Sequence, residues 1–252
     1  MAEWIQGRVI GRRDWSDKLF SLRVQAELPP YQAGQFTRLA LDLAGERVAR
    51  AYSFVNPPSS DHHEFLLVRV QGGRLSPALG QQAAGAPLWL APQAGGFLTE
   101  PEIPEGDRLW LLATGTGIGP FLSLLSDGAV ARRFARLVLV HGVREGAELV
   151  YPELIAHYSR QWGERFVYQP LVTRQAWPGA LPLRIPAALL QGVLAQRLGL
   201  SLDPAQDRVL LCGNPDMVAD SLAALEALGF SRHRRRAPGQ VLLENYWSPA
   251  SG

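Results

Sequence analysis

The sequence predicts a chain of two parts, an antiparallel β part that is either a barrel or a sandwich, followed by a parallel α/β part, with the boundary near residues 99–104. Up to about residue 97, short runs of apolar and β-branched residues are separated by clusters of Gly, Pro and Asp, as in antiparallel barrels and sandwiches. Beyond PEIPEGD at residues 101–107, continuous apolar runs alternate with amphipathic segments. That alternation indicates parallel strands covered by helices on both faces.

Each predicted element follows from its local pattern. The first part has five predicted strands, which are WIQGRVI, LFSLRV, QFTRLALDL, ARAYSFV and EFLLVRV. The second part has four pairs of strand and helix: RLWLLAT with GPFLSLL, RLVLVHG with YPELIAHYSRQWG, FVYQPLV with IPAALLQGVLAQRLG, and RVLLCG with NPDMVADSLAALEALG. Gly, Pro and Asp clusters between these runs mark the turns.

Composition restricts the class of protein. A length of 252 residues with 47% hydrophobic content is sufficient for one large core or two modest ones. The net charge of +2 is too small for a dedicated polyanion binder, although RHRRR at residues 232–236 is locally basic. No secretory or membrane-spanning pattern is present, and Cys212 has no second cysteine with which to form a disulfide. We therefore expect a cytoplasmic protein without a metal site.

The glycine-rich segment ATGTGIGP, residues 113–120, follows the first predicted strand of the second part. Closely spaced glycines let a backbone approach a phosphate, and the next helix would offer its N-terminal N–H groups. Gly115, Gly117 and Gly119 alternate, however, and do not form the usual G-x-G-x-x-G pattern. The segment is either a dinucleotide-binding loop or a tight turn.

A second candidate is LLCGNPDMV, residues 210–218. Asn214 is a predicted helix N-cap and Pro215 suits the first helical position, so Cys212 is expected at the carboxyl end of a parallel strand. Open α/β sheets bind ligands at that edge, whereas a lone cysteine is commonly a small buried core residue. Both roles stay open for Cys212 on position alone.

Seven motifs occur along the chain in the order RAYSF, GGRLSP, ATGTGIGP, HGVRE, LLCGNPDMV, RRRAPG and ENYW. In order and spacing they resemble the bacterial ferredoxin (flavodoxin)–NADP reductases, and the resemblance covers essentially the whole chain. It implies a ferredoxin reductase-like fold, with an FAD-binding β-barrel in residues 1–99 and an NADP(H)-binding α/β domain in residues 100–252. The C-terminal tail of that second domain would return to the flavin.

The resemblance assigns FAD to RAYSF, residues 50–54, and to GGRLSP. Arg50 would pair with the pyrophosphate, Tyr52 would lie against the isoalloxazine, and Ser53 would hydrogen-bond near flavin N5. By itself GGRLSP, residues 72–77, predicts only a hairpin turn with a helix cap. The implied FAD site comprises Arg50, Ala51, Tyr52, Ser53, Leu66, Val68, Gly73, Arg74, Leu75, Ser76, Thr116 and Trp247.

For NADP(H), the decisive residues are three arginines, Arg144, Arg174 and Arg184, which follow strands or precede a helix of the second part. Each one alone is more often a solvated surface charge. Reductases of this kind carry arginines at matching positions, and a guanidinium suits the 2′-phosphate that distinguishes NADPH from NADH. The implied NADP(H) site comprises Thr114, Gly115, Arg144, Arg174, Arg184, Asn214 and Met217.

The implied catalytic residues are Ser53, Cys212, Glu244 and Trp247. Related reductases end near an aromatic residue that stacks on the flavin, and Trp247 is the match, although SPASG follows it here. The tail would either fold over the adenine of FAD or be disordered. Glu244 would assist proton or electron transfer, or else be a surface acid that faces a partner.

The resemblance implies a ferredoxin/flavodoxin–NADP⁺ reductase that moves a hydride between NADPH and FAD and single electrons between FAD and a small carrier protein. The basic residues 232–236, with Arg12 and Arg13, are expected to dock an acidic ferredoxin or flavodoxin onto a monomer. The alternatives are a flavin or quinone reductase, an oxygenase electron-transfer component, and a non-catalytic flavin-binding protein. The absence of a cysteine cluster argues against a fused iron–sulfur centre, and no nucleic acid is expected.

Overall fold

The computed structural model describes residues 3–244. These residues pack as two compact units, of which the first contains the residues up to 99 together with 119–127, and the second contains 100–118 and the residues from 128 onward. The assignment of FAD binding to residues 1–99 and of NADP(H) binding to residues 100–252 stays a prediction.

The first unit is built on a six-stranded antiparallel sheet with strand order β4-β3-β6-β1-β2-β5. An isolated antiparallel bridge between Phe54 and Phe65 connects the segment after β4 to β5, the strand at the opposite end of the sheet order. Phe20, Phe54 and Phe65 are fully buried in its core. The predicted antiparallel fold is confirmed, and the strands are β1 Ile5–Asp14, β2 Leu19–Gln25, β3 Phe36–Leu43, β4 Glu46–Ser53, β5 His63–Val68 and β6 Pro87–Leu90.

Two helices complete this unit, α1 (Leu75–Leu79) and α2 (Gly119–Asp127). The buried Ser123 of α2 donates its hydroxyl to the Asn56 carbonyl at 2.9 Å, and its Oγ accepts the Gly34 N–H at 3.4 Å. Helix α2 therefore packs with the first unit, although it follows a strand of the second unit in the chain.

The second unit is a five-stranded parallel sheet with strand order β11-β10-β7-β8-β9. Its strands are continuous apolar runs because helices cover both faces. This confirms the predicted parallel fold. The strands are β7 Arg108–Thr114, β8 Arg136–Val143, β9 Phe166–Val172, β10 Asp207–Cys212 and β11 Val241–Glu244, and the helices are α3 Ala129–Arg133, α4 Pro152–Trp162, α5 Ile185–Leu190, α6 Val193–Leu198 and α7 Pro215–Ala227.

Four elements differ from the prediction. Helix α3, which has only five residues, was not predicted. Strands β6 and β11 were not predicted, because each has only four residues and too short a pattern to be recognised. The segment predicted as one helix from Ile185 is two helices, α5 and α6. Gly192 separates them with a φ of +67°, a left-handed conformation that ends a right-handed helix.

A buried ion pair ties the start of β7 to the start of β10. Arg108 donates two hydrogen bonds to Asp207, at 2.6 Å from Nε and 2.8 Å from Nη2. Asp207 has no exposed surface, and it also accepts the Asp203 N–H at 2.6 Å.

No helix within residues 3–244 has the length and apolar character needed to cross a bilayer.

Candidate functional site

The carboxyl ends of β7 and β10 form a topological switch point. From β7 the sheet grows outward through β8 and β9, and the chain then returns to the other side of β7 with β10. Ligands of open α/β sheets bind at such a point, outside the carboxyl ends of the strands. The structure therefore brings the two predicted loops together here, because ATGTGIGP follows β7 and GNPDMV follows β10.

These two loops cross in direct contact. The Asn214 N–H donates to Oγ1 of Thr114 at 3.0 Å. A Cβ on Gly117 would lie 2.5 Å from the Cys212 carbonyl oxygen and 2.8 Å from Cα of Gly213, so no larger residue fits without movement of the backbone. The alternating glycines thus serve a close backbone crossing at Gly117. The segment itself is a short 3₁₀ helix, Gly115–Ile118, that leads into α2.

Asn214 caps α7, as predicted. Its side chain accepts the N–H groups of Asp216 at 2.9 Å and Met217 at 3.2 Å, and Pro215 occupies the first turn. Met217, which was expected to contact NADP(H), is buried and packs in the core of the second unit. Of the two predicted NADP(H) residues in this segment, Asn214 and Met217, only Asn214 is exposed at the sheet edge.

The predicted catalytic residues of the second unit are register neighbours. Cys212 pairs with Glu244 on one side and with Ala113 on the other, and Ala113 pairs with His141. Cys212 has no exposed surface and Glu244 is 8% exposed. The structure therefore brings the thiol and the carboxylate to one edge of the sheet. Trp247, the fourth predicted catalytic residue, lies outside the described residues.

His141 was not predicted as a site residue, yet it supports the glycine loop. It is fully buried, and burial lowers its pKa to about 4. Its Nε2 lies 3.0 Å from the Gly115 carbonyl oxygen. Because a carbonyl only accepts, Nε2 carries the proton of the neutral ring. The signal in the sequence was a single histidine inside an apolar strand, immediately before a glycine.

The three predicted arginines lie in this unit near the carboxyl edge. Arg144 follows β8 and Arg174 follows β9, and the Arg174 N–H donates to the Arg144 carbonyl at 2.9 Å. Arg184 is the N-cap residue of α5. All three are exposed, and within the described part of the chain no group hydrogen-bonds or ion-pairs with their guanidinium groups. This arrangement fits an anion with several oxygens, such as a phosphate.

Glu148 orders the loop that carries Arg144. Its carboxylate accepts the backbone N–H of Arg144 at 2.9 Å and of Glu145 at 3.2 Å, and it completes a capping box on the 3₁₀ turn Gly146–Glu148. Because Glu145 is not one of the usual N-cap residues, this capping box could not be recognised from the sequence. The Arg144 backbone is therefore fixed while its side chain stays exposed.

In the first unit, the predicted flavin residues lie on β4. Arg50 and Tyr52 alternate onto one face of the strand, and Ser53 ends it on the other face. Arg50 is exposed and donates to the Ala49 carbonyl at 2.7 Å, with no carboxylate partner within residues 3–244. Tyr52 packs against the core, and burial raises its pKa to about 12, so the phenol stays neutral. An open guanidinium beside a neutral ring fits the pyrophosphate and flavin of FAD.

The segment GGRLSP forms the predicted turn and short helix. The Gly73 N–H donates to the Val70 carbonyl at 2.9 Å, and the buried Ser76 Oγ accepts the Val70 N–H at 3.0 Å. Arg74 pairs with Glu46 of β4 at 2.8 Å, which brings this segment beside the strand that carries Arg50. Of the remaining predicted FAD residues, Leu66 and Leu75 are buried, Val68 and Ala51 are half-buried in the first unit, and Thr116 lies in the second unit.

The arginines predicted to dock a carrier protein differ in their side-chain contacts. Arg12 donates to Asp14 at 3.2 Å and to the Gly80 carbonyl at 2.6 Å. Arg13 lies over the Trp15 ring at 3.7 Å. In the second unit, Arg235 pairs with Glu102 at 2.6 Å. The remaining exposed arginines of the basic stretch are Arg232, Arg234 and Arg236.

Comparison with known proteins assigns the family. Residues 111–222 match the model of the oxidoreductase NAD-binding domain. The chain is 43% identical over 248 residues to the flavodoxin/ferredoxin–NADP reductase of Shigella flexneri, an alignment that covers 98% of this chain and 100% of that protein. The chain belongs to the flavodoxin/ferredoxin–NADP reductase family. The family predicted from the motifs is confirmed.

Two further relatives of this reductase family agree. The ferredoxin–NADP reductase of Azotobacter vinelandii is 33% identical, with 94% of this chain and 95% of that protein covered. A ferredoxin NADP⁺ reductase from Neisseria gonorrhoeae, crystallised with FAD and NADP, superposes with a TM-score of 0.91 at 32% identity and covers 98% of this chain and 100% of that one. The predicted enzyme class, an oxidoreductase of the ferredoxin/flavodoxin–NADP⁺ reductase type, is confirmed at the level of the family.

Proposed function

We propose that this chain transfers electrons between NADPH and a ferredoxin or flavodoxin, with FAD as its bound cofactor. The observation that carries the proposal is the set of three exposed guanidinium groups near a switch-point edge, in a chain of this reductase family. FAD, when bound, supplies the chemistry that converts a hydride into single-electron transfers.

The second unit recognises NADP(H). Arg144, Arg174 and Arg184 bind the 2′-phosphate, because guanidinium groups match its oxygens and no carboxylate within residues 3–244 occupies them. The crossing loops offer Thr114, Gly115 and Asn214 to the rest of the dinucleotide. Hydrogen bonding by His141 to the Gly115 carbonyl supports this arrangement.

The first unit holds FAD through β4 and the segment 73–76. Arg50 binds the pyrophosphate and Tyr52 offers its ring to the flavin. Ser53 offers its hydroxyl near flavin N5. In the second unit, the Glu244 carboxylate assists proton transfer, and Cys212 lies beside it on the adjacent strand. Support comes from the exposed state of Arg50, the half-buried Tyr52 and the Cys212–Glu244 register.

The electron partner is a small acidic carrier protein, ferredoxin or flavodoxin. The exposed Arg232, Arg234 and Arg236 give the second unit a locally positive surface, and opposite charge speeds the encounter of two proteins. We place the reaction in the cytoplasm and propose that the chain acts as a monomer.

One set of measurements tests the function. Purified protein should be yellow, should be bleached by NADPH much faster than by NADH, and should pass electrons to flavodoxin or ferredoxin faster than to free flavin or a quinone. A colourless protein that does not oxidise NADPH after FAD is added would refute the proposal. Fast turnover with a quinone and none with either carrier would favour the quinone reductase alternative.

A further inference from the structure

Trp177 is an exposed tryptophan in the loop between β9 and α5, with 43% of its surface accessible. The indole lies on the backbone of Gly146. A Cβ built on Gly146 would overlap the ring, and its three nearest atoms, Cε3, Cδ2 and Cζ3, are almost equally distant from it. Such spacing places Gly146 over the face of the six-membered ring and not beyond its edge. One face of the indole is therefore covered by backbone.

Among residues 3–244, no other aromatic ring and no guanidinium group lies against the indole of Trp177. Within residues 3–244, the guanidinium groups that lie over aromatic rings contact Trp4, Trp15, Phe20, Trp89 and Phe134, and Trp177 makes no such contact. A large flat apolar ring that is supported on one side and exposed on the other is a stacking surface for a planar ligand.

The loop that presents Trp177 is fixed from the sheet. The Ala180 N–H donates to the Trp177 carbonyl at 3.1 Å, which closes a turn. The side chain of Gln169, which is 3% exposed, donates to the Gly179 carbonyl at 3.0 Å. Leu181 then pairs with β9 through its N–H to the Pro170 carbonyl at 3.1 Å. The indole is thus held before any ligand arrives, which lowers the entropic cost of stacking.

Two guanidinium-bearing residues adjoin this surface. Arg144 stands two residues before Gly146, Arg174 stands three residues before Trp177, and their backbones are joined by the 2.9 Å hydrogen bond from the Arg174 N–H to the Arg144 carbonyl. The exposed ring of Trp177 therefore lies close in the chain to Arg144 and Arg174, whose guanidinium groups make no hydrogen bond or ion pair within residues 3–244. A ligand that fits both carries a planar base and a phosphate on the same nucleoside.

We propose that Trp177 stacks on the adenine ring of NADP(H), while Arg144 and Arg174 bind its 2′-phosphate. This inference rests on the proposed function and adds a second recognition element to it. The two elements differ in what they distinguish. Adenine is common to NADPH and NADH, so Trp177 strengthens binding of both nucleotides, whereas the arginines favour NADPH alone.

The probe is adenosine 2′,5′-bisphosphate, which contains the base and the 2′-phosphate without the nicotinamide. Its dissociation constant is measured by calorimetry with the FAD-loaded wild type, Trp177→Ala, Trp177→Phe and Leu190→Ala. Leu190 is 62% exposed on α5 of the same unit, so its variant controls for loss of an exposed apolar side chain. Loss of base stacking should raise the dissociation constant of Trp177→Ala about 5- to 100-fold. Trp177→Phe should retain most of the affinity, and Leu190→Ala should match the wild type.

Steady-state kinetics completes the test. Trp177→Ala should raise the KM for NADPH and for NADH by the same factor, with kcat unchanged and with unchanged turnover of reduced nicotinamide mononucleotide, which lacks adenine. Unchanged binding of the bisphosphate by Trp177→Ala, in a protein that oxidises NADPH, would overturn the stacking inference and leave the proposed function intact. A wild type that neither binds the bisphosphate nor oxidises NADPH would overturn both.

Discussion

Cys212 and Glu244 are register partners at the carboxyl ends of the adjacent parallel strands β10 and β11, and both are buried. Parallel pairing fixes their backbones at the same height along the sheet. A thiol and a carboxylate in this relation share one local environment, so a change in either one alters the surroundings of the other.

We expect Cys212→Ala and Glu244→Gln each to slow reduction of bound FAD by NADPH roughly 10- to 100-fold, because small displacements of reacting groups are costly. Since the two residues are neighbours, the double variant should slow the reaction by less than the product of the two factors. Stopped-flow absorbance measures the rate, with Asp220→Asn, an exposed acid on α7, as the control. Wild-type rates in both single variants would remove these residues from the catalytic set.

Arg144→Ala and Arg174→Ala test the choice of nucleotide. Each should raise the KM for NADPH roughly 10- to 100-fold, because a hydrogen bond to a charged group contributes about 1.5–3 kcal/mol. NADH kinetics should stay nearly constant, as should kcat with NADPH, since the 2′-phosphate is remote from the transferred hydride. Arg160→Ala removes an exposed arginine of α4 and serves as the control. Equal losses with both nucleotides would contradict the specificity argument.

Arg50→Ala tests FAD binding by the first unit. The variant should lose FAD during gel filtration, and its dissociation constant for FAD should rise roughly 10- to 100-fold because a charge-assisted contact to the pyrophosphate is missing. Arg47→Ala is the control on the same strand, where Arg47 pairs with Asp42 at 2.8 Å. If both variants retain FAD equally well, Arg50 does not bind the cofactor.

His141 predicts a pH dependence of stability. Burial lowers its pKa from 6.5 to about 4 in the folded chain, so the unfolded chain binds a proton in this range that the folded chain does not. The free energy of unfolding is therefore fully retained above pH 6.5 and falls as the pH drops toward 4, by up to about 3 kcal/mol.

His141→Gln should flatten this part of the pH profile, because an amide can donate to the Gly115 carbonyl but does not titrate. Urea denaturation at several pH values between 4 and 7 measures the free energy of unfolding, with the pH range set by the pKa of about 4. His157→Gln, an exposed histidine of α4, should keep the wild-type slope. If the free energy of unfolding of His141→Gln depends on pH as steeply as that of the wild type, His141 is not the source of the pH dependence.

Asp207→Ala should destabilise the protein by about 3–5 kcal/mol, because it leaves Arg108 without its carboxylate partner in a largely buried position. Urea denaturation provides the measurement. Asp42→Ala breaks an exposed ion pair with Arg47 and should have a much smaller effect. If both variants lose a similar amount of unfolding free energy, burial does not make the Arg108–Asp207 pair more important for stability than an exposed pair.

Much of this fold could be predicted from the sequence, because long apolar runs and helix N-cap residues are local signals. Every strand of the parallel sheet except β11 was predicted, and Asn214 was identified as an N-cap from its neighbours alone. Strand β6 was missed since four residues carry too little periodicity, although pairing with β1 and β3 places it inside the sheet. Its stability comes from those long-range pairs.

The candidate site was accessible only in part. The chain order of motifs indicated the family, but it gave no sign that Gly117 passes beside the Cys212 backbone, because that contact joins residues about a hundred positions apart. The supporting role of His141 and the stacking of Trp177 on Gly146 were missed for the same reason. Contacts of this kind depend on how strands are ordered in space, and local pattern does not encode that order.

The packing of α2 with the first unit limits how this protein can be divided by recombination. A segment ending at Thr99 would lack Ser123, leaving the Asn56 carbonyl and the Gly34 N–H without that partner, and it would lose Leu124, which faces Gly34. An exchange of the first unit between two relatives must therefore carry residues 119–127 along with residues up to 99. Chimeras of two relatives joined at a single crossover between residues 99 and 119 should therefore be less stable than chimeras that exchange both segments together.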